Sequence, residues 1–185
     1  MVVPSPSPSA DKRSRRIALR ARRAAFARNT VLPVCDAFED RLRPGLTVAS
    51  YAPLGDEADP APFVRAARAA GCLIALPHVA DRARPMRFLH WDGVTLLKGP
   101  LGLLQPPADA MEAMPDIILT PMLGFDRRGH RLGQGAGYYD RAFSSLPDAW
   151  RVGIAWSVQE VEALVADPWD MPLHAIATEL EWIEP

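Results

Sequence analysis

Three short segments between residues 46 and 79 constrain the fold more than anything else in the chain. Residues 46–52 make an apolar run of strand length, residues 60–70 read as a helix, and residues 72–79 are again apolar and too short for a separate helix. Strand, helix and strand in that order predict a β-α-β unit, in which the helix is the crossover between parallel strands. Residues 86–91, 117–122, 151–156 and 175–183 predict further strands, and the Gly- and Pro-rich residues 98–107 predict an irregular connection.

Two helices are expected before this unit. Residues 12–28 are rich in Ala, Arg and Leu and free of Gly and Pro, with Asp11 suited to the positive end of the dipole. A second helix within residues 34–43 is closed by Pro44 and Gly45. The whole predicts an α/β protein with a mostly parallel sheet flanked by helices, whose ligands sit at the carboxyl ends of the strands. A chain of 185 residues suits one domain, read as residues 11–185 behind a disordered Pro- and Ser-rich leader at residues 1–10.

Charge and cysteine content narrow the function. The net charge is −1, yet eight Lys or Arg fall between Lys12 and Arg28, so the remainder is acidic. That basic helix permits a nucleic-acid reading, which ranks last because no nucleic-acid motif accompanies it. Cys35 and Cys72 form neither a zinc ribbon nor a redox pair, and a reducing cytoplasm is expected. Neither a signal peptide nor a membrane span is predicted, and a monomer is the default. His78, His90, His130 and His174 are isolated, which argues against a transition-metal centre. No Ser or Cys triad is apparent.

Residues 121–143, PMLGFDRRGHRLGQGAGYYDRAF, carry the chemistry. A strand runs into a loop and then a helix, and Gly133, Gly135 and Gly137 alternate in between. Such a backbone turns with positive φ and offers N–H groups to phosphate oxygens, helped by the helix N-terminus. Arg131 supplies a guanidinium for phosphate, and Asp140 a carboxylate for a magnesium ion (Mg2+) bridging phosphates. The spacing is neither that of a dinucleotide fold nor of a P-loop. The same residues also suit a tight turn with Arg131 and Asp140 as a surface ion pair.

The string GFDRRGHRLGQGAGYYDRAF resembles the signature of the 5-formyltetrahydrofolate cyclo-ligase family, also called methenyltetrahydrofolate synthetase. Lys12-Arg13-Ser14-Arg15-Arg16, Gly55-Asp56-Glu57, Met86-Arg87-Phe88, residues 99–106 and Trp169-Asp170-Met171-Pro172-Leu173 with Ala177-Thr178-Glu179 follow the family pattern as well. The resemblance implies a sandwich akin to sugar-phosphate isomerases and coenzyme A transferases. It implies ring closure of 5-formyltetrahydrofolate to 5,10-methenyltetrahydrofolate, with ATP as co-substrate and Mg2+ as cofactor.

By position, the resemblance puts Lys12, Arg16, Arg131, Leu132, Gly133, Gln134, Gly135, Ala136, Gly137, Tyr138 and Tyr139 around ATP. Ala52, Glu57 and residues Gln134 to Tyr138 would face the folate, Asp140 and Asp170 would hold the metal, and Arg131, Tyr139 and Asp140 would be catalytic. Lys12 and Arg16, four apart, share one helix face. Glu57 follows a predicted strand end, and Asp170 reads on its own as a turn residue. Gln134, Ala136, Trp169 and His174 depart from the usual residues; either ATP affinity is lower or Arg127 or Arg128 supplies the charge that Gln134 lacks. Trp91, Trp150, Trp156 and Trp169 could stack on a pterin, although buried aromatics more often pack in the core.

Overall fold

A computed structural model of the chain describes residues 8–26, 30–81 and 84–185. In chain order these hold helix α1 (Pro8–Ala25), short helix α2 (Asp36–Glu39), strand β1 (Thr47–Ala49), helix α3 (Ala61–Ala69) and strands β2 (Leu73–His78), β3 (Arg87–His90), β4 (Leu97–Lys98), β5 (Leu104–Gln105), β6 (Glu112–Ala113), β7 (Ile117–Pro121), β8 (Gly124–Phe125) and β9 (Arg131–Leu132). Helix α4 (Tyr138–Ser145) and strands β10 (Trp150–Ile154), β11 (Ala175–Ala177) and β12 (Trp182–Ile183) complete the chain.

Eight strands form one sheet in the order β12-β11-β10-β7-β1-β2-β3-β6. The run from β11 through β10, β7 and β1 to β2 is parallel, and β12, β3 and β6 add antiparallel edges. Residues alternate between faces along each strand. Val48, Leu119 and Ile154 accordingly pack with Phe38, Phe63 and Ala67 from α2 and α3, while Ala49, Ile118 and Ile176 pack with Ala142 and Phe143 from α4. Gly153 is needed on the α4 face, because a Cβ there would stand 2.2 Å from Met122 and 2.7 Å from Leu173.

The parallel β1-α3-β2 unit is present as read. Residues 175–183 are not one strand: Thr178 Oγ1 accepts the N–H groups of Leu180 and Glu181 and donates to the Glu181 carbonyl. That turn folds the chain back as the β11-β12 hairpin. Residues 98–107 are less irregular than their Gly and Pro content predicts, since β4 and β5 pair around a 3-10 turn at Pro100–Gly102. The helix within 34–43 is a single turn. Helix α1 begins three residues inside the expected leader; residues 1–7 of that leader and 27–28 at the expected helix end lie outside the described residues.

From β1 the chain moves to β2 on one side and later returns to β7 on the other. The carboxyl ends of β1 and β7 therefore flank a topological switch point, where open α/β sheets bind ligands. No helix among the described residues is long and apolar enough to cross a membrane.

Candidate active site

A cavity of about 490 Å³ occupies this switch point. Tyr51 and Ala52 after β1, Pro77 and Val79 at the end of β2, and Pro121 and Met122 at the end of β7 form its floor. The 133–137 loop with the start of α4 makes one wall, α1 a second, and the 167–170 turn a third.

The loop takes its shape from its glycines. Gly135 and Gly137 have φ of 102° and 66°, in the left-handed region that side-chain-bearing residues avoid. Gly137 caps α4. At Gly133 a Cβ would meet no heavy atom within 4 Å, so its bareness leaves room in the cavity.

Helix α1 is fastened by Leu19, buried with Leu123, Leu132 and Leu164. Lys12, Arg16, Leu19 and Arg23 recur at i, i+4, i+7 and i+11 and share one face. The basic members therefore run along the cavity over about 16 Å. Lys12 Nζ lies 2.6 Å from Asp167 Oδ2 and 3.6 Å from Asp170 Oδ2. Arg16 Nε donates to the Gly133 carbonyl at 3.0 Å. Arg20, next to this row, donates to Gln134 Oε1 at 2.7 and 3.2 Å. Arg23, 7% exposed, lies 3.8 Å from Glu57 Oε1.

Arg131, on β9, pairs with Asp140 on α4 and donates to the Met171 carbonyl at 2.7 Å. Its side chain is only 6% exposed and lies over the Phe143 ring, so the pair is no surface ion pair. Burial pulls the guanidinium below its ordinary pKa, against the opposing pull of Asp140 and Asp170. Asp170 belongs to a turn in which its N–H bonds the Asp167 carbonyl and its Oδ2 accepts the Asp167 N–H.

Glu57 sits in a pinned loop. Trp156 Nε1 donates to the carbonyl of Asp56 at 3.1 Å and Tyr51 OH to that of Ala58 at 2.5 Å, one on each side of Glu57. Glu57 Oε2 accepts the Leu54 N–H at 3.0 Å. Burial nonetheless raises its pKa, with the Leu54 bond, Arg23 and the nearby Gln134 side chain opposing. The Tyr139 hydroxyl is buried in the same wall with no partner among the described residues. Burial, then the nearby Glu57, pushes its pKa up, so it remains a proton donor. A buried donor without an acceptor is costly.

Asp140 and Asp170 suit a hard cation. Both line the cavity beside a basic group. No group of three or more His, Cys, Asp or Glu among the described residues makes a metal site by itself. Two carboxylates match an ion that takes its remaining oxygens from phosphate and water, as magnesium does.

Every residue that the resemblance assigns to ATP, folate, metal or catalysis lines this one cavity. The expectation that Arg127 or Arg128 supplies a charge at Gln134 fails. Arg127 is engaged with Glu160 and Glu181, and Arg128 with Asp126; the cation at Gln134 is Arg20. His130 faces Asp126. Trp156 packs in the core, as buried aromatics commonly do, and Trp150 and Trp91 pack against it, Trp91 under Arg68; Trp169, 66% exposed, is on the cavity rim. Sequence reasoning missed Arg23, Tyr51, Asp167 and the apolar end made by Met86, Leu103 and Leu104. Extending the Lys12 and Arg16 spacing by seven residues reaches Arg23.

Residues 8–179 match the 5-formyltetrahydrofolate cyclo-ligase family. The chain is 32% identical over 144 residues to 5-formyltetrahydrofolate cyclo-ligase of Escherichia coli K12, spanning 71% of this chain and 77% of that protein. It is 29% identical over 143 residues to the Mycolicibacterium smegmatis cyclo-ligase, spanning 72% and 74%. The solved structure of 5,10-methenyltetrahydrofolate synthetase from Aquifex aeolicus shares its fold, with a TM-score of 0.74, 24% identity, and coverage of 94% of this chain and 92% of that one.

Proposed function

The chain belongs to the 5-formyltetrahydrofolate cyclo-ligase family, and on that premise we propose that its cavity holds ATP and 5-formyltetrahydrofolate side by side and closes the folate ring. The supporting observation is the cavity itself, which joins a basic, glycine-lined end to a buried carboxylate end. Lys12, Arg16 and the 133–137 loop take the polyphosphate, Glu57 and Ala52 take the pterin, and Gln134 lies between the two.

A formyl amide is a poor electrophile. Transfer of the γ-phosphoryl group to the formyl oxygen forms a P–O bond, breaks the bond to ADP and makes that oxygen a leaving group. Attack of N10 on the formyl carbon forms the new C–N bond; N10 gives up its proton and phosphate departs, leaving 5,10-methenyltetrahydrofolate. The chain contributes positioning and charge stabilisation. Arg131 sits where it faces charge on the transferring group, and the Tyr139 hydroxyl donates a hydrogen bond to substrate oxygen. A magnesium ion held by Asp140 and Asp170 would neutralise phosphate charge.

The test is the absorbance of methenyltetrahydrofolate on mixing purified protein with 5-formyltetrahydrofolate, ATP and magnesium, omitting each in turn. Product that requires all three is expected. Folded protein that binds ATP yet yields none would refute the ring-closing reading and favour a diverged phosphate-binding relative.

A further inference from the structure

The folate-facing carboxylate has a cationic neighbour supplied from the opposite wall. Arg23 reaches from α1 into the cavity with its side chain 8% exposed, and Nη1 stands 3.8 Å from Glu57 Oε1 and 3.4 Å from the Met122 carbonyl. Met122 is fixed in turn, because Gln159 Nε2 donates to the same carbonyl at 2.7 Å while Gln159 Oε1 accepts the Trp156 N–H at 2.8 Å. Trp156 also holds the Glu57 loop through the Asp56 carbonyl. Arg23 and Glu57 are thus registered against each other through one buried network tying α1, the end of β7 and the loop after β1. A guanidinium so thoroughly buried is costly without an anionic counterpart.

We infer that Arg23 is a positioning residue that holds the Glu57 carboxylate, charged and oriented, for the folate. The inference rests on the proposed role of Glu57. The groups facing Glu57 are Arg23 from α1, Gln134 from the glycine loop, Tyr139 from α4, and Tyr51 with the Leu54 N–H beyond β1. Arg23 carries the opposing charge in this set. Burial raises the carboxyl pKa and Arg23 lowers it, so removing Arg23 leaves more Glu57 protonated at a given pH.

The test compares Arg23→Met, Arg23→Lys, Glu57→Gln and the Arg23→Met/Glu57→Gln double variant in steady-state kinetics from pH 5 to 9, with circular dichroism verifying folding. Arg23→Met is expected to raise the KM for 5-formyltetrahydrofolate several-fold while leaving that for ATP near its starting value. The acid limb of kcat/KM should move to higher pH. Arg23→Lys should restore much of both, and Arg23→Met should add little in the Glu57→Gln background. A folded Arg23→Met with unchanged folate KM and acid limb, beside an impaired Glu57→Gln, overturns the role of Arg23 and spares that of Glu57. Full additivity in the double variant overturns it too, by making Arg23 a direct substrate contact. An unimpaired Glu57→Gln overturns both.

Discussion

Asp126 tests how the site is held in place. It is fully buried in the β8-β9 connection, and its Oδ1 accepts the N–H groups of Arg128 at 3.0 Å and His130 at 3.1 Å. Its Oδ2 accepts the Leu164 N–H at 2.9 Å, takes Arg128 Nη2 at 3.2 Å and faces His130 Nδ1 at 3.2 Å. In Asp126→Asn one oxygen becomes an amide that can only donate. If the remaining oxygen serves the turn, the amide confronts the Leu164 N–H; the flipped amide confronts two turn N–H groups instead. An orphaned buried N–H costs about 1–3 kcal/mol and a lost charged hydrogen bond about as much again. We expect Asp126→Asn to lose about 3 kcal/mol, a fall of about 1.5 M in urea midpoint at an m-value of about 2 kcal/mol/M. Burial by itself would raise the Asp126 pKa, but the bonds from Leu164, His130 and Arg128 outweigh it and leave it below its ordinary 3.8. Stability contributed by the ionised form is therefore complete above the unfolded-state value and lost as pH falls through the folded one. Urea titrations of both proteins at pH 7 and down to pH 3 should show a gap that persists to about pH 4 and narrows below it. Equal midpoints at pH 7 would refute the hub.

Asp140→Asn should cut kcat by about 100-fold or more, the scale of losing one electrostatic contact to a transferring group, whereas exposed Arg22→Ala should stay within about twofold; equal rates for wild type and Asp140→Asn would remove Asp140 from the chemistry. Tyr139→Phe deletes a hydroxyl with no partner among the described residues, so its urea midpoint should hold or rise slightly while kcat/KM falls; a loss of stability would show that the hydroxyl is bonded within the protein. Gly135→Ala puts a side chain at φ 102° with the Arg16 guanidinium 3.3 Å away, costing about 1–2 kcal/mol, and the KM for ATP should rise; an unchanged KM would separate this glycine from nucleotide binding.

The parts of this architecture that were readable in the sequence are those governed by short-range periodicity. The β1-α3-β2 unit carries its pattern locally, and the cavity residues fall in strings whose spacing or resemblance marks them. The rest depends on contacts distant along the chain. The β11-β12 reversal turns on the Thr178 hydroxyl, whose preference for its own backbone over a ladder shows only in three dimensions. The β4-β5 hairpin is set by Gln105, buried, with Oε1 accepting the Val79 N–H at 3.1 Å and Nε2 donating to the Val79 carbonyl at 3.3 Å. This side chain imitates a strand partner, and no local pattern announces that. Arg127 and Arg128 were misjudged because proximity in sequence to Gln134 says little about direction: the hairpin turn points them toward Glu160, Glu181 and Asp126.

Helix α1 carries this distinction furthest. Its charge alone suits a phosphate backbone, and composition cannot say on which side of the helix the charge is spent. The structure turns Lys12, Arg16 and Arg23 into the cavity and places Arg20 on Gln134 at its edge. A nucleic-acid duplex laid on the helix would meet the opposite face, where Arg13 and Arg22 are exposed among Ile17, Ala18 and Ala21. Among the described residues that face carries fewer cations than the cavity side, and affinity for a polyanion grows with the number of contacts made together. The basic row meets Asp167 and Asp170 at its Lys12 end, where the proposed function puts phosphate, and Glu57 at its Arg23 end. Those two ends make it the wall of a small-molecule site.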